Sequence, residues 1–270
     1  MKAVNKKIGC IGAGNMGGAI LSRLAAGADP SAISVYDITP GKADALAHGT
    51  GITVAGSPED CARASDILIL AVKPDAVIAA LNSIRSAVAS DAIIVSIAAG
   101  VTIAAMEKVL GRSMKIVRVM PNTPAMVGEG MSVLAPNGAV DDNSLLDVER
   151  IFSRIGRVLV LPEKLMDAVT GLSGSGPAYV FTFIQALADG GVKLGIPREK
   201  ALVLAAQTVM GSAKYLLESG EDPMALRGKV TSPGGTTIEG IHVLERSGFS
   251  GIVMDAVEKA AQKSQKLGEK

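Results

Sequence analysis

Three glycines near the beginning of the sequence have the spacing best suited to chemistry. Gly12, Gly14 and Gly17 form G-x-G-x-x-G, which follows an apolar run at 8–11 and opens an amphipathic stretch. In a dinucleotide-binding turn, the first glycine allows a tight bend, the second lets the backbone approach a pyrophosphate, and the third lets a helix pack closely on a strand. The helix N-terminus then offers free N–H groups to the anion. The spacing therefore predicts a phosphate-binding turn.

An acidic residue stands where such a turn needs one. Asp37 ends the second predicted strand, at 32–36, and lies 37 − 17 = 20 residues beyond Gly17. At this offset a carboxylate reaches a ribose hydroxyl of the cofactor. Glycine is frequent here, 31 of 270 residues, so the spacing alone is a weak signal. The strand, the helix and the acid together favour a dinucleotide site over a strand–turn–helix that binds nothing.

Other catalytic side chains are scarce. The two histidines, His48 and His242, have no partner at a recognisable spacing, and neither G-x-S-x-G nor H-E-x-x-H occurs, so hydrolase chemistry is disfavoured. We expect surface or packing roles for both histidines. A nicotinamide cofactor supplies the hydride itself, and the protein supplies alignment. Such chemistry suits a substrate that is already activated, such as a protonated imine, because a ketone normally needs a proton donor.

The composition points to a protein of the cytoplasm. Hydrophobic residues make up 48% and aromatic residues 3%, a mixture typical of buried parallel strands and closely packed helices. The net charge of +1, with no block of like charge, gives no sign of nucleic-acid binding. No apolar stretch is long enough to span a bilayer and no secretory signal is recognisable. Cys10 and Cys61 have neither metal nor disulfide spacing, so we expect a reducing compartment and no metal.

Strands and helices alternate over residues 1–162, which predicts an α/β fold with a Rossmann-like, doubly wound parallel sheet. Ligands of such sheets lie beyond the carboxyl ends of the strands. Strands are expected at 8–11, 32–36, 52–54, 66–72, 92–97, 115–120, 131–136 and 158–161. The strand ends expected to gather at one edge are 12–17, Asp37, 71–74, 98–100 and 120–124.

From residue 163 to residue 270 the pattern is helical, so we expect an all-α second domain that packs tightly on the first. Helices are predicted at 175–194, 198–219, 236–247 and 250–266. Two glycine-rich segments, 171–179 and 231–238, place backbone N–H groups and hydroxyls at helix starts, which suits a carboxylate. Ordinary helix-connecting turns are the alternative interpretation.

Together the motifs resemble the Δ1-pyrroline-5-carboxylate reductase family over nearly the whole chain. The resemblance rests on I-G-A-G-N-M-G at 11–17, A-V-K-P at 71–74, S-I-A-A-G-V at 96–101, R-V-M-P-N-T-P at 118–124, V-T-G-L-S-G-S-G-P-A-Y at 169–179 and V-T-S-P-G-G-T-T-I at 230–238. The last two of these segments, in this order and spacing, are the most specific to the family.

The resemblance implies reduction of a cyclic imine, L-Δ1-pyrroline-5-carboxylate, to L-proline by NADPH or NADH, the last step of proline biosynthesis. It implies a pyrophosphate site at the glycine turn, a cofactor lining at two strand ends and a nicotinamide site at a third. The residues implied are, in that order, Gly12, Ala13, Gly14, Asn15 and Met16; Ala71, Val72, Lys73, Pro74, Ala98 and Ala99; and Met120, Pro121 and Asn122.

The resemblance also implies a substrate site in the helical domain. Backbone N–H groups around Gly235, Thr236 and Thr237 would bind the substrate carboxylate, and the Thr237 hydroxyl would hydrogen-bond the ring nitrogen, the catalytic role. Glu163 would also approach the substrate. Members of the family form intertwined homodimers through the helical domain, often arranged as a ring of five dimers, a decamer.

Two questions stay open from the sequence. Asp37 should bind the 2′-hydroxyl of NAD and repel a 2′-phosphate, although Thr39 and Lys42 could still accommodate that phosphate, so we expect NADH to serve at least as well as NADPH. The alternatives to the implied reaction are an imine or β-hydroxyacid oxidoreductase with another substrate, and a non-catalytic dinucleotide sensor. The former usually offers a lysine or an acid from its second domain, and a sensor has no need of the turn at 231–238.

Overall fold

A computed structural model describes residues 6–110 and 114–268. Two compact units can be distinguished by their internal contacts. One contains the chain up to Ser175 together with the segment from Lys259 onward, and the other contains Gly176–Glu258. The outer limits of the two predicted domains, residues 1 and 270, lie outside the described residues.

Within the described residues, eight strands of the first unit form one sheet in the order β3-β2-β1-β4-β5-β6-β7-β8. The first six strands are parallel, which confirms the doubly wound sheet, but β7 runs antiparallel to β6. The reason is the β6–β7 connection, which holds only the short 3₁₀ turn Thr123–Val127, whereas a parallel pair needs a crossover of about a dozen residues or more. The strands are β1 (Ile8–Ile11), β2 (Ile33–Tyr36), β3 (Thr53–Val54), β4 (Ile67–Leu70), β5 (Ile93–Ser96), β6 (Lys115–Met120), β7 (Gly130–Pro136) and β8 (Gly156–Val160).

Helices cover both faces of this sheet. Every residue of β4 and of β5 is buried, as expected for central parallel strands that read as unbroken apolar runs. Ile20 and Phe152 belong to the core cluster of one face, and Leu81 and Met106 to that of the other. Two of these helices are capped at their N-termini by hydroxyls, because Ser57 accepts the N–H of Asp60 and Thr102 accepts the N–H of Ala105. The helices are α1 (Asn15–Ala25), α2 (Lys42–Thr50), α3 (Pro58–Arg63), α4 (Val77–Ile84), α5 (Ile103–Leu110), α6 (Asp142–Phe152) and α7 (Met166–Val169).

The segment after β8 belongs to the first unit. A 3₁₀ turn at Glu163–Leu165 and helix α7 lead into a π-helical turn at Thr170–Gly174. Met166 and Val169 of α7 pack in one buried cluster with residues of β6 and β7. By its contacts the first unit extends beyond residue 162, and the domain boundary placed there from the change in sequence pattern stays a prediction.

Helices make up the second unit. Helix α10 was missed by the sequence analysis, although Asp222, which caps it, and Pro223 at its first position are a recognisable start signal. Many large apolar side chains stay exposed, for example Phe181, Val203 and Met254 at 64%, 67% and 70%. No described helix is long and apolar enough to cross a membrane. The helices are α8 (Gly176–Lys193), α9 (Arg198–Ser219), α10 (Pro223–Lys229), α11 (Thr236–Arg246) and α12 (Phe249–Gly268), whose last part belongs to the first unit.

Candidate active site

The first and third glycines of the turn are required by the protein itself. Gly12 has a φ of +111°, and its N–H donates to the carbonyl oxygen of Tyr36 at 2.7 Å. A Cβ on Gly12 would lie 2.5 Å from the carbonyl oxygen of Ala71, and a Cβ on Gly17 would collide with the carbonyl oxygen of Gly12. The turn is therefore held tightly between the ends of β1, β2 and β4.

The second glycine is different, because no described protein atom explains it. A Cβ on Gly14 would meet nothing within 4 Å, and its φ of −72° and ψ of −172° are open to any residue. Gly14 is the N-cap of α1, whose N-terminus has no side-chain cap and no acidic residue in its first turn among the described residues. Uncovered backbone beside free amides at a helix N-terminus is the surface that a pyrophosphate requires, so the residues present fit a dinucleotide.

Asp37 is fixed to this turn. One carboxylate oxygen accepts the N–H of Ala13 at 2.7 Å, and the other accepts the N–H of Thr39 at 2.8 Å. Partial burial opposes ionisation, but the Thr39 and Ala13 amides outweigh it, with help from the charge of Lys42, and hold the pKa of Asp37 below its usual value. A carboxylate has about four acceptor positions, so the anion can still accept ribose hydroxyls.

The other predicted strand ends lie at the same edge. In the sheet register Ile11 is paired with Leu70, Leu70 with Ser96, and Ser96 with Arg118. The segments that follow these residues therefore leave the sheet side by side. The predicted cofactor residues therefore lie along this edge of the first unit. They are Gly12, Ala13, Gly14, Asn15, Met16, Asp37, Ala71, Val72, Lys73, Pro74, Ala98, Ala99, Met120, Pro121 and Asn122.

The first part of one glycine-rich segment assigned to the helical domain, up to Ser175, also lies at this edge. The side-chain amide of Asn122 donates to the carbonyl oxygen of Ser173 at 3.2 Å, and its oxygen accepts the N–H of Met131 at 2.8 Å. A Cβ on Gly174 would lie 3.3 Å from the terminal methyl of Met120. The π-helical turn thus sits against the carboxyl end of β6, and such turns are frequent at functional sites.

Glu163 is engaged in contacts within the first unit. One of its carboxylate oxygens accepts the N–H of Ile103 at 2.7 Å and lies 3.4 Å from the guanidinium of Arg118. Arg118 is only 3% exposed, and its other terminal nitrogen lies 3.7 Å from the carboxylate of Asp167. Neither Arg118 nor Asp167 was predicted to have a role from the sequence. The available signal was a cation inside the apolar strand K-I-V-R-V-M, since a buried charge needs a partner.

The second glycine-rich segment forms the loop before α11 in the second unit. Gly234 has a φ of +67°, and the N–H of Gly235 donates to the carbonyl oxygen of Ser232 at 3.1 Å. No described side chain caps α11, whose first residues are Thr236 and the partly buried Thr237. The amides of this first turn are therefore open to an anion, and a carboxylate at this position stays a prediction.

The remaining candidates stand apart from this chemistry. His48 and His242 are exposed in their own units. Cys10 and Cys61 are buried, and burial raises the pKa of both thiols, so neither is suited to act as a nucleophile. Among the described residues, no group of three or more His, Cys, Asp or Glu side chains is placed to hold a metal ion.

Known proteins resemble both parts of the chain. Residues 163–267 match the family model for pyrroline-5-carboxylate reductase dimerisation, and residues 7–100 match the model for NADP oxidoreductase, coenzyme F420-dependent. The pyrroline-5-carboxylate reductase of Escherichia coli K12 is 48% identical over 266 residues, covering 98% of this chain and 99% of that protein. That of Methanosarcina acetivorans is 45% identical over 268 residues, with 98% and 99% covered.

Solved structures of pyrroline-5-carboxylate reductases are also similar to this chain. A pyrroline-5-carboxylate reductase from Coxiella burnetii has a TM-score of 0.93 at 35% identity and covers 97% of this chain and 98% of that one. The Plasmodium falciparum pyrroline carboxylate reductase with NADP bound has a TM-score of 0.88 at 36% identity, with 99% and 100% covered. The resemblance found in the motifs is thereby confirmed, and the chain belongs to the pyrroline-5-carboxylate reductase family.

Proposed function

We propose that this chain reduces L-Δ1-pyrroline-5-carboxylate to L-proline with a hydride from NADPH or NADH, the final step of proline biosynthesis. The observation that carries the proposal is the uncovered turn at Gly14, at the edge where the parallel strands end. The substrate follows from the family, whose members match this chain over nearly its full length.

The cofactor roles follow the order of the strand ends. Gly12, Ala13, Gly14, Asn15 and Met16 bind the pyrophosphate through backbone N–H groups and the N-terminus of α1. Asp37 orients the adenosine ribose. The side chains and backbone of Ala71, Val72, Lys73, Pro74, Ala98 and Ala99 line the cofactor, and Met120, Pro121 and Asn122 face its nicotinamide end.

The substrate roles lie at the start of α11. Backbone N–H groups around Gly235, Thr236 and Thr237 bind the substrate carboxylate, and the Thr237 hydroxyl, the catalytic group, hydrogen-bonds the ring nitrogen. The contacts of Glu163 with Ile103 and Arg118 support a positioning role for this residue, and its approach to the substrate stays a prediction.

The scarcity of strong acids and bases at the described site is consistent with this reaction. A protonated imine is already electrophilic at carbon, so no side chain has to donate a proton as the hydride arrives. A bound nicotinamide supplies that hydride, and the chain's own contribution is to orient both molecules and to hold the substrate anion.

Residues 163–270 act in this proposal as the substrate-binding and dimerisation domain, and the protomers form a homodimer that assembles into a decamer of five dimers. The exposed apolar side chains of the second unit support an interface between subunits. Light scattering should then give a particle ten times the 27.5 kDa mass of the chain, whereas a stable dimer would exclude the ring. A cytoplasmic location stays a prediction.

Oxidation of NADH and of NADPH in the presence of pyrroline-5-carboxylate, followed by absorbance, tests the reaction. Consumption of either cofactor with stoichiometric formation of proline is the expected result. Cofactor binding without turnover would contradict the proposal. Other cyclic imines and β-hydroxyacids would then be assayed, and turnover of none would favour the sensor.

A further inference from the structure

Arg118 is a buried cation held between two acids. Its guanidinium lies 3.4 Å from a carboxylate oxygen of Glu163 and 3.7 Å from one of Asp167, and its side chain is 4% exposed. A buried guanidinium is stable only with such partners, and the planar fork of arginine can address two of them at once.

Each acid carries one further contact from a distant part of the first unit. The Glu163 oxygen that meets Arg118 also accepts the N–H of Ile103 at the start of α5, at 2.7 Å. The Asp167 oxygen accepts the hydroxyl of Ser264, near the end of α12, at 2.6 Å. A single guanidinium on β6 therefore joins α5, the segment around α7 and the last turns of α12.

The π-helical turn Thr170–Gly174 begins three residues after Asp167 and is anchored to the same strand at its other end. There, Asn122 donates to the carbonyl oxygen of Ser173, and Gly174 lies against Met120. Arg118 and Met120 point to the same face of the sheet, because side chains two residues apart in a strand do so. The carboxyl-terminal part of β6 and the residues that follow it thus contact both ends of the helical segment 167–174.

We infer that Arg118 is a positioning residue for the proposed reaction. By holding Asp167 it fixes the turn Thr170–Gly174 against Met120 and Asn122, the residues assigned to the nicotinamide end. This inference rests on the proposed function for its kinetic consequence, while the effect on the turn itself is independent of the substrate.

Arg118→Lys is the test, because an ammonium keeps the charge but cannot present parallel donors to two carboxylates. At saturating cofactor and well below the unfolding temperature, we expect kcat with pyrroline-5-carboxylate to fall about 10- to 100-fold, the cost of a small misplacement of reacting groups. The Kd of NADPH, measured by its fluorescence, should stay within about twofold, because the glycine turn is untouched. Arg150→Lys is the matched control, since Arg150 forms a partly exposed pair with Asp147 at 3.0 Å.

Hydrogen exchange at the Ser175 amide supplies a readout that does not depend on the substrate. This N–H donates to the carbonyl oxygen of Thr170 at 2.8 Å and closes the π-helical turn. Exchange at Ser175 should be faster in Arg118→Lys and unchanged in Arg150→Lys. Should Arg118→Lys not fold, Ser264→Ala, which removes the other partner of Asp167, is assayed with the same two readouts and should change both in the same direction.

The outcomes separate the two proposals. A lower unfolding temperature with unchanged kcat and unchanged exchange at Ser175 would mean that Arg118 only stabilises the fold, and would overturn the inference. An inactive wild type would contradict the proposed function, whereas faster exchange in the variant would still support the positioning of the turn.

Discussion

The backbone N–H of Ala13 donates a 2.7 Å hydrogen bond to the carboxylate of Asp37, which fastens the acid at the end of β2 to the glycine turn at the end of β1. The same carboxylate also accepts the N–H of Thr39. Asp37 is thus part of the turn, and it cannot move away from an incoming 2′-phosphate without giving up one of the donors that stabilise the turn.

Cofactor choice is the first prediction. We expect a kcat/KM for NADH at least equal to that for NADPH, because the fixed carboxylate repels the 2′-phosphate. Asp37→Asn removes the charge and should raise the NADPH-to-NADH ratio of kcat/KM about tenfold. Asp29→Asn, which alters an exposed acid that likewise accepts an N–H two residues on, should leave the ratio unchanged. A strong preference of the wild type for NADPH would refute the argument from Asp37.

The second prediction contrasts two glycines of the turn. Gly14→Ala adds a methyl group to empty space and should cost at most about 1 kcal/mol in the free energy of unfolding, the difference between these residues at a helix start. It should nevertheless raise the KM for the cofactor, because the methyl group occupies the path of the pyrophosphate. Gly17→Ala drives a methyl group into the carbonyl of Gly12 and should cost about 1–3 kcal/mol.

Urea unfolding and steady-state kinetics together measure this contrast. If Gly14→Ala left the KM for both cofactors unchanged, the space above Gly14 would not be a pyrophosphate site. If Gly17→Ala were as stable as the wild type, close packing of α1 on the turn would not be the reason for a glycine at this position.

The third prediction concerns Thr237. If its hydroxyl orients the imine nitrogen, Thr237→Ala should lower kcat/KM for the imine by the value of one hydrogen bond, roughly 1–3 kcal/mol or about 5- to 150-fold. The Kd of the cofactor should be retained, because the glycine turn is unaltered. Thr208→Ala, which removes a threonine hydroxyl bonded to the carbonyl of Leu204, is the control. An unchanged kcat/KM in Thr237→Ala would remove the residue from the mechanism.

The fourth prediction concerns pH. Asp141 caps α6, and its carboxylate accepts from Lys115 at 2.6 Å and from the amide of Ser144 at 2.9 Å. The Lys115 contact, followed by the Ser144 contacts, holds the pKa of Asp141 well below its usual value. The folded state therefore favours the ionised form, so the stabilisation is complete above the unfolded pKa of about 3.9 and is lost as the pH falls below it.

Thermal unfolding of Asp141→Asn across pH measures this effect. The variant should unfold at a lower temperature than the wild type at pH 7, and the difference should shrink as the carboxylate of the wild type is protonated. Asp91→Asn, a change of an exposed acid, controls for net charge. If the difference in unfolding temperature stayed constant down to the lowest pH at which the wild type is folded, the charge of Asp141 would not contribute to stability.

The sequence by itself determined the features that depend on neighbours along the chain. The glycine turn, Asp37 at its offset and the apolar strands were all predicted, because turn and burial preferences are local. The family was also predicted from short motifs and is confirmed.

Only the tertiary structure decided which distant residues meet. Arg118 binds Glu163 and Asp167, which lie 45 and 49 residues further on, and the turn at Thr170–Gly174 joins the end of β6. The direction of β7 and the open space above Gly14 were equally beyond local patterns. Such contacts arise when separate elements pack against one another, and local preferences along the chain do not specify which surfaces will then be adjacent.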